Sequence, residues 1–347
     1  MIIQIQDLHK TFHVHRRTGR GLLGAFRREA HEVRAVDGVS FAIAEGEMVG
    51  YVGPNGAGKS TTIKMLTGIL QPSGGAMRVA GLDPSRQRQE LAKRIGVVFG
   101  QRTQLWWDLP LVDSFELLRH VYRVPADAYR RRLDAFTDLL DLAPFLQTPV
   151  RQLSLGQRMR GDLAAALLHD PPIVYLDEPT IGLDVVAKAR MREFLARLNR
   201  ERGVTVLLTT HDMADIERLC SRMLIIDHGH VIYDGGIEAI KDRFGGERTV
   251  IVDLEEAAPP LAIPGAMVTR VDGPRQWLRF RRAETSAAAV IGAVAAAARL
   301  RDLTIEEPAI EDIVRRIYEG GARAWLSGVG PEPGERGGEA LPRVPDG

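Results

Sequence analysis

The stretch Met48-Val-Gly-Tyr-Val52-Gly53-Pro-Asn55-Gly56-Ala-Gly58-Lys59-Ser60-Thr61 decides the fold. Five largely apolar residues read as a strand. A glycine-rich turn fitting G-x-x-x-x-G-K-[ST] follows, and then Ile63, Met65, Leu66 and Ile69 recur at helical spacing. Strand, glycine loop and helix open a parallel α/β unit, which is the context this motif needs to hold phosphate. The glycines let successive backbone N–H groups turn inward onto phosphate oxygens at a helix N-terminus. Lys59 then neutralises β- and γ-phosphates, and Ser60 offers its hydroxyl to Mg²⁺.

Downstream, Ile173-Val-Tyr-Leu-Asp177-Glu178 is an apolar strand that ends in two carboxylates. At the C-terminal edge of a parallel sheet, where α/β ligands bind, Asp177 is placed to hold a metal and Glu178 to orient or deprotonate water. Alone, the pair would equally suit an acidic start to the next helix at Pro179. Val206-Leu-Leu-Thr-Thr210 brings His211 to the same edge, within reach of a γ-phosphate. Leu153-Ser154-Leu155-Gly156-Gln157, taken by itself, is a serine N-cap on an Ala-rich helix.

The remaining pattern divides near residue 236. Before it lie strands at Ile2–Ile5, Val39–Ile43 and Ile95–Phe99, a helix-rich middle over Ser114–Leu146, strands at Ile173–Leu176 and Val204–Leu208, and a hairpin about Asp227-His-Gly229. Continuous apolar strands are those buried on both faces of a parallel sheet. After it, strands over Thr249–Leu254, Met267–Val271, Gln276–Phe280 and Leu303–Glu306, with helices over Ser286–Arg299 and Ile310–Tyr318, make a small α+β unit. Residues 321–347 are rich in Gly, Pro and charge and read as a disordered tail.

Composition narrows the function classes. The 347 residues carry 46 basic and 45 acidic groups, so no general field draws nucleic acid or an anionic membrane. The basic groups are 40 Arg and six Lys, which with the Ala-rich runs reflects genome composition more than function. Cys220 is the sole cysteine, excluding an intrachain disulfide and a multi-cysteine zinc site. The sequence shows no secretory signal, and its longest apolar run, Ala287–Ala298, is far short of the ~20 residues of a membrane span. The Arg-rich block from His13 to Arg34 reads as a solvated loop between two strands, or as a patch for anionic headgroups or a membrane partner.

In order, these segments resemble the nucleotide-binding subunit of an ATP-binding cassette (ABC) transporter over residues 1–235. The resemblance makes Gly53–Thr61 the Walker A loop and Gln101 the Q-loop glutamine. It makes Leu153–Gln157 the signature, Ile173–Glu178 the Walker B strand with its glutamate, Gly182-Leu-Asp184 the D-loop and His211 the switch histidine. Leu155 stands where the family usually has the first of two glycines. Gly100 precedes Gln101, so a literal spacing would put Gly100 in the glutamine's place; an inserted residue lets Gln101–Val112 align without a gap.

The resemblance implies an α/β P-loop NTPase of the cassette type over residues 1–236, with a helical subdomain at about 102–168, and an accessory α+β domain over 237–320. Glu178, His211 and Gln101 would be catalytic. Phe12, Gly53, Asn55, Gly56, Gly58, Lys59, Ser60, Thr61, Ser154, Gly156, Gln157 and Asp184 would contact ATP, and Ser60, Gln101 and Asp177 Mg²⁺. Phe12 would stack on adenine, or else is a core residue ending the first strand. Two cassettes, most simply a homodimer, would close head to tail around two ATP molecules, Ser154 and Gly156 reaching the partner's γ-phosphate.

The run Val98-Phe-Gly-Gln-Arg-Thr-Gln-Leu-Trp106-Trp107-Asp-Leu-Pro110 and the distal domain resemble ABC-2 type, exporter-associated ATPases. The two tryptophans either receive a membrane permease or pack inside the helical subdomain. The expected location is cytoplasmic, on the inner face of the cell membrane. Two rivals stay open: a soluble ABC ATPase working on ribosomes or nucleic acid, and a nucleotide sensor without turnover. One cassette, one cysteine and no heptad run weigh against the first, so no nucleic acid partner is expected, and Glu178 weighs against the second.

Overall fold

The computed structural model describes residues 1–17, 28–100, 102–244, 247–282, 284–307 and 309–319. Gln101 and the tail 321–347 lie outside them.

The chain begins with a long antiparallel pair, β1 (Ile3–Arg17) and β2 (Arg28–Ile43), followed by β3 (Met48–Val52), α1 (Lys59–Leu66), β4 (Gly74–Val79), α2 (Arg88–Ala92) and β5 (Ile95–Phe99). Helices α3 (Leu111–Val121), α4 (Ala126–Leu139) and α5 (Leu155–Leu167) form the helical part. Then come β6 (Ile173–Asp177), α6 (Val185–Arg202), β7 (Thr205–Thr209), α7 (Met213–Leu219), β8 (Arg222–Asp227) and β9 (His230–Gly236).

The central sheet has the order β5-β6-β7-β3-β8-β9, parallel except for the closing β8–β9 hairpin. Every residue of β3 and β7 is buried. Their side chains alternate between two cores, as the two-residue period of a strand demands. Met48, Val52, Val206 and Leu208 join the helical side. Val49, Tyr51 and Leu207 join α1 and the antiparallel sheet β2-β1-β4 on the other. Burial on both faces is why these strands read as unbroken apolar runs.

The Arg-rich block is not the loop expected from its charge. Strands β1 and β2 stay in register out to Arg17 opposite Arg28, and only residues 18–27 between them fall outside the description. A charge run reports solvent exposure and says nothing about the backbone. An antiparallel ladder bonds through its main chain and needs no apolar face to continue.

Beyond β9, α8 (Ile237–Phe244) leads to β10 (Glu247–Leu254), β11 (Ala266–Asp272), β12 (Arg275–Arg281), α9 (Ala287–Ala297), β13 (Leu300–Glu306) and α10 (Ile310–Glu319). The antiparallel sheet β11-β12-β10-β13 and α9 bury their own small core, including Val250, Leu278, Phe280, Val290 and Val294. Helix α10 goes elsewhere. Ile310, Ile313, Val314 and Ile317, one face at helical spacing, are buried in the same cluster as Ile216, Cys220, Ile237 and Ile240. The chain thus leaves its first half, builds a separate sheet, and returns a helix to the first core.

Candidate active site

The phosphate-loop residues and both carboxylates meet at one cleft of about 470 Å³ on the C-terminal edge of the parallel sheet. Its walls include Asn55, Gly56, Gly58, Lys59, Ser60, Thr61, Asp177, Glu178 and His211. Gly58 caps α1 at φ 106° with no side-chain cap, so the helix start that lines the cleft has no side-chain acceptor on its first N–H groups. A Cβ at Gly58 would collide with the carbonyl oxygen of Ala35, and one at Gly53 would stand 2.5 Å from the carbonyl oxygen of Ile226. Only glycine fits either position.

Lys59 lies buried along the loop, its Nζ donating to the carbonyl oxygens of Gly53 at 2.5 Å and Pro54 at 3.1 Å. Burial pushes its pKa below the usual lysine value, and the carboxylates of Glu178 and Asp177 counter that loss. Ser60 Oγ donates to Asp177 Oδ2 at 3.3 Å, while Thr209 Oγ1 donates to Oδ1 at 2.5 Å. A hydroxyl and a carboxylate, both hard oxygen donors, suit Mg²⁺ held largely by water and substrate phosphate. No cluster of three or more His, Cys, Asp or Glu capable of holding a metal occurs among the described residues.

Glu178 follows at φ 56°, a left-handed conformation that an L-residue adopts only when its surroundings hold it there. Its N–H donates to the Thr209 carbonyl at 2.9 Å, and its Oε1 lies 2.8 Å from His211 Nε2. The base candidate and the switch histidine are therefore in contact.

The other expected residues lie apart. Ser154 caps α5 in a reciprocal box: Gln157 N–H donates to Ser154 Oγ at 3.2 Å, and Ser154 N–H to Gln157 Oε1 at 2.9 Å. Asp184 caps α6, accepting from Ala187 N–H at 2.8 Å. Neither cap, nor Gly156, lines the phosphate cleft. Leu155 packs against Gly182 of the D-loop, space that a glycine would leave unfilled. Phe12 sits opposite Val33 in the β1–β2 ladder, with Lys10 Nζ 5.2 Å from its ring, and is absent from the cleft wall.

Trp106 and Trp107 are 41% and 51% exposed, so neither is packed inside the helical part. The chain that carries them is pinned from below. Thr103 Oγ1 and Gln104 N–H both donate to Asp162 Oδ1, at 2.8 and 3.1 Å, and Trp106 N–H donates to Ser114 Oγ at 3.2 Å. Burial raises the Asp162 carboxyl to about 6 despite those bonds.

Sequence reading missed Lys64 and Arg102 in the cleft wall. Lys64 was legible, one helical turn beyond Ser60 on the same face. Arg102 needed the tertiary path of the strand exit after Phe99.

Comparison with known proteins agrees with this architecture. Residues 36–181 match the ABC transporter family model. The chain is 35% identical over 215 residues to the ABC transporter ATP-binding protein NatA of Bacillus subtilis, covering 62% of this chain and 87% of NatA. It is 34% identical over 287 residues to the daunorubicin resistance ATP-binding protein DrrA3 of Streptomyces coeruleorubidus, covering 81% and 90%. Among solved structures, a dimeric post-hydrolysis state of the ATP-binding cassette MJ0796 bound to ADP and Pi superposes with a TM-score of 0.58 at 28% identity, over 68% of this chain and 98% of that one. The glycine loop, the two carboxylates and the histidine that meets Glu178 form the candidate site of an ATPase, and the chain is a member of the ABC transporter ATP-binding protein family.

Proposed function

We propose that this chain is the ATP-hydrolysing subunit of an ABC-2 type exporter whose membrane-spanning permease is a separate polypeptide. The contact of Glu178 with His211, at the mouth of a cleft floored by Lys59 and Ser60, carries the hydrolytic part of this reading. The transport part is supported by DrrA3, similar over 81% of this chain and named for drug resistance. Among the described residues no helix is long and apolar enough to cross a membrane. Attachment to the inner membrane face would then come through the permease, with the exposed Trp106–Trp107 loop as the docking surface.

In this reading the free N–H groups at the start of α1 and Lys59 bind the ATP phosphates. Ser60 and Asp177 would hold Mg²⁺, which supplies charge neutralisation across the β- and γ-phosphates. Glu178 takes the proton of the attacking water, and His211, bonded to Glu178, orients it and meets the γ-phosphate. Gln101 joins this set from the segment beside Gly100 and Arg102. Ser154 Oγ and Gly156 N–H reach the γ-phosphate of a second copy, with Gln157 and Asp184 shaping that surface, so the working unit is a dimer. Phe12 is the proposed adenine contact. Residues 1–236 act as the ATPase, and 237–320 as an accessory unit tied to it through α8 and α10.

The test is recovery of membranes with tagged Glu178→Gln in the presence of ATP and Mg²⁺. The variant is expected to bind ATP, turn it over at least ~100-fold more slowly, and bring down a polytopic membrane protein. Recovery of ribosomes or DNA instead would refute the transport reading, and near-normal turnover would remove Glu178 as the base.

A further inference from the structure

We infer that Asp215 is a positioning residue for ATP hydrolysis, its buried carboxylate tying together the turn that carries Glu178, the turn that carries His211 and the helix that begins at Asp184. Asp215 lies in the first turn of α7 and is 0% exposed. Its Oδ2 accepts from Thr180 Oγ1 at 2.6 Å and Thr210 Oγ1 at 3.4 Å, and its Oδ1 accepts from Arg192 Nε. Thr180 is two residues past Glu178, Thr210 directly precedes His211, and Arg192 stands on α6 eight residues after Asp184. Three segments, one bearing Glu178, one bearing His211 and one starting from the Asp184 cap, therefore converge on one carboxyl group.

An outer layer surrounds this joint. Asp212 accepts from Lys188 Nζ at 2.8 Å and lies 3.3 Å from Arg192 NH2, and its own N–H donates to Thr210 Oγ1 at 3.0 Å. The Thr210 hydroxyl thus accepts from one aspartate's backbone while donating to the other's carboxylate. Both threonines are buried, so neither hydroxyl could exchange its partner for water. The need for such a joint is visible at Glu178, whose left-handed backbone has to be fixed from both sides. The Thr209 carbonyl holds it from one side, and Thr180, anchored to Asp215, from the other. The carboxylate does not touch the cleft. It acts through the angle at which Glu178 and His211 meet.

The test is steady-state ATP hydrolysis by the full chain with Mg²⁺, read as kcat and KM separately. Asp215→Asn should lower kcat at least ~10-fold with KM within about twofold, and in a Glu178→Gln background it should leave ATP affinity unchanged. Thr180→Val, which removes a single hydroxyl at constant shape, should lower kcat about fivefold or more, and Thr180→Ser should restore it to within about twofold. The threonine pair decides the matter if Asp215→Asn does not fold. An unchanged kcat, whatever happens to the melting temperature, overturns the inference. So does a kcat loss matched by an equal loss of ATP affinity.

Discussion

Two helix N-termini of the chain are expected to meet phosphate, α1 from its glycine loop and α5 through the family resemblance alone, and they are built in opposite ways. Helix α1 starts from Gly58, left-handed and without a side-chain cap. Helix α5 starts from Ser154, closed by a complete capping box with Gln157. Four N–H groups at any helix start need partners, and an uncapped, partly buried start is tolerable where a ligand supplies them. Helix α1 therefore leaves its first N–H groups to a ligand, whereas at α5 the box takes up the Ser154 and Gln157 N–H groups and leaves those of Leu155 and Gly156 outside it. That difference fits a site where one surface holds nucleotide and the other is brought to it from a second copy.

The largest effects should come from closing the open end. Gly58→Ala places a methyl group against the Ala35 carbonyl at a φ that alanine resists, so the loop must move and its N–H groups lose their aim. ATP affinity should fall by ~100-fold or more, measured by equilibrium titration with Mg²⁺. Lys59→Ala should weaken ATP binding at the same end by removing the charge. Tight binding by either variant would mean that the N–H cradle is not the phosphate site.

Next in size is a pH effect carried by α5 itself. The Asp162 carboxyl is buried and titrates near 6, against an ordinary value of 3.8. Between those values the folded chain binds more protons than the unfolded one, so stability should fall as pH rises from about 4 to about 6 and stay level above. The difference corresponds to at most about 3 kcal/mol. Asp162→Asn removes the slope, so its melting temperature should gain on the parent between pH 4 and pH 7.5. Parallel melting profiles for the two proteins would show that the group titrates normally.

The capped end can be broken selectively. Ser154→Ala deletes one acceptor of the box and should cost about 1 kcal/mol of stability, read by urea denaturation. Ser154→Asp restores a good cap and so the stability, but sets a negative charge where a partner's phosphate would arrive. Turnover should therefore stay low in Ser154→Asp although folding recovers. If turnover returned with stability, the serine would be a cap and nothing more.

Much of the open site was legible because one segment carries it: strand, loop and helix run without interruption from Met48 to Leu66. The buried carboxylates were not legible. Asp162 sits in an Ala-rich helix and meets Thr103 across 59 residues of chain, and Asp215 meets Thr180 across 35. Local periodicity marks such positions as helical but cannot say what stands opposite. Helix α10 behaved likewise, since its apolar face announced burial while its partner, the α7–α8 surface, depended on the whole path of the intervening sheet. The β1–β2 extension was missed for the converse reason: a charge pattern is silent about main-chain hydrogen bonding.

The smallest effect should come from Leu155, the residue that departs from the family's glycine. It occupies the first position of α5, is partly exposed, and rests on Gly182, so its side chain joins the capped helix to the D-loop of the same chain. Leu155→Gly gives up that contact and loosens the helix start, worth together about 1 kcal/mol or less. Ser154 and Gly156, the groups proposed to reach phosphate, are untouched. Turnover should therefore stay within about threefold of the parent. A loss of tenfold or more would place the Leu155–Gly182 contact on the path by which the closed helix end meets the open one, and the two ends would then differ in geometry but not in dependence on each other.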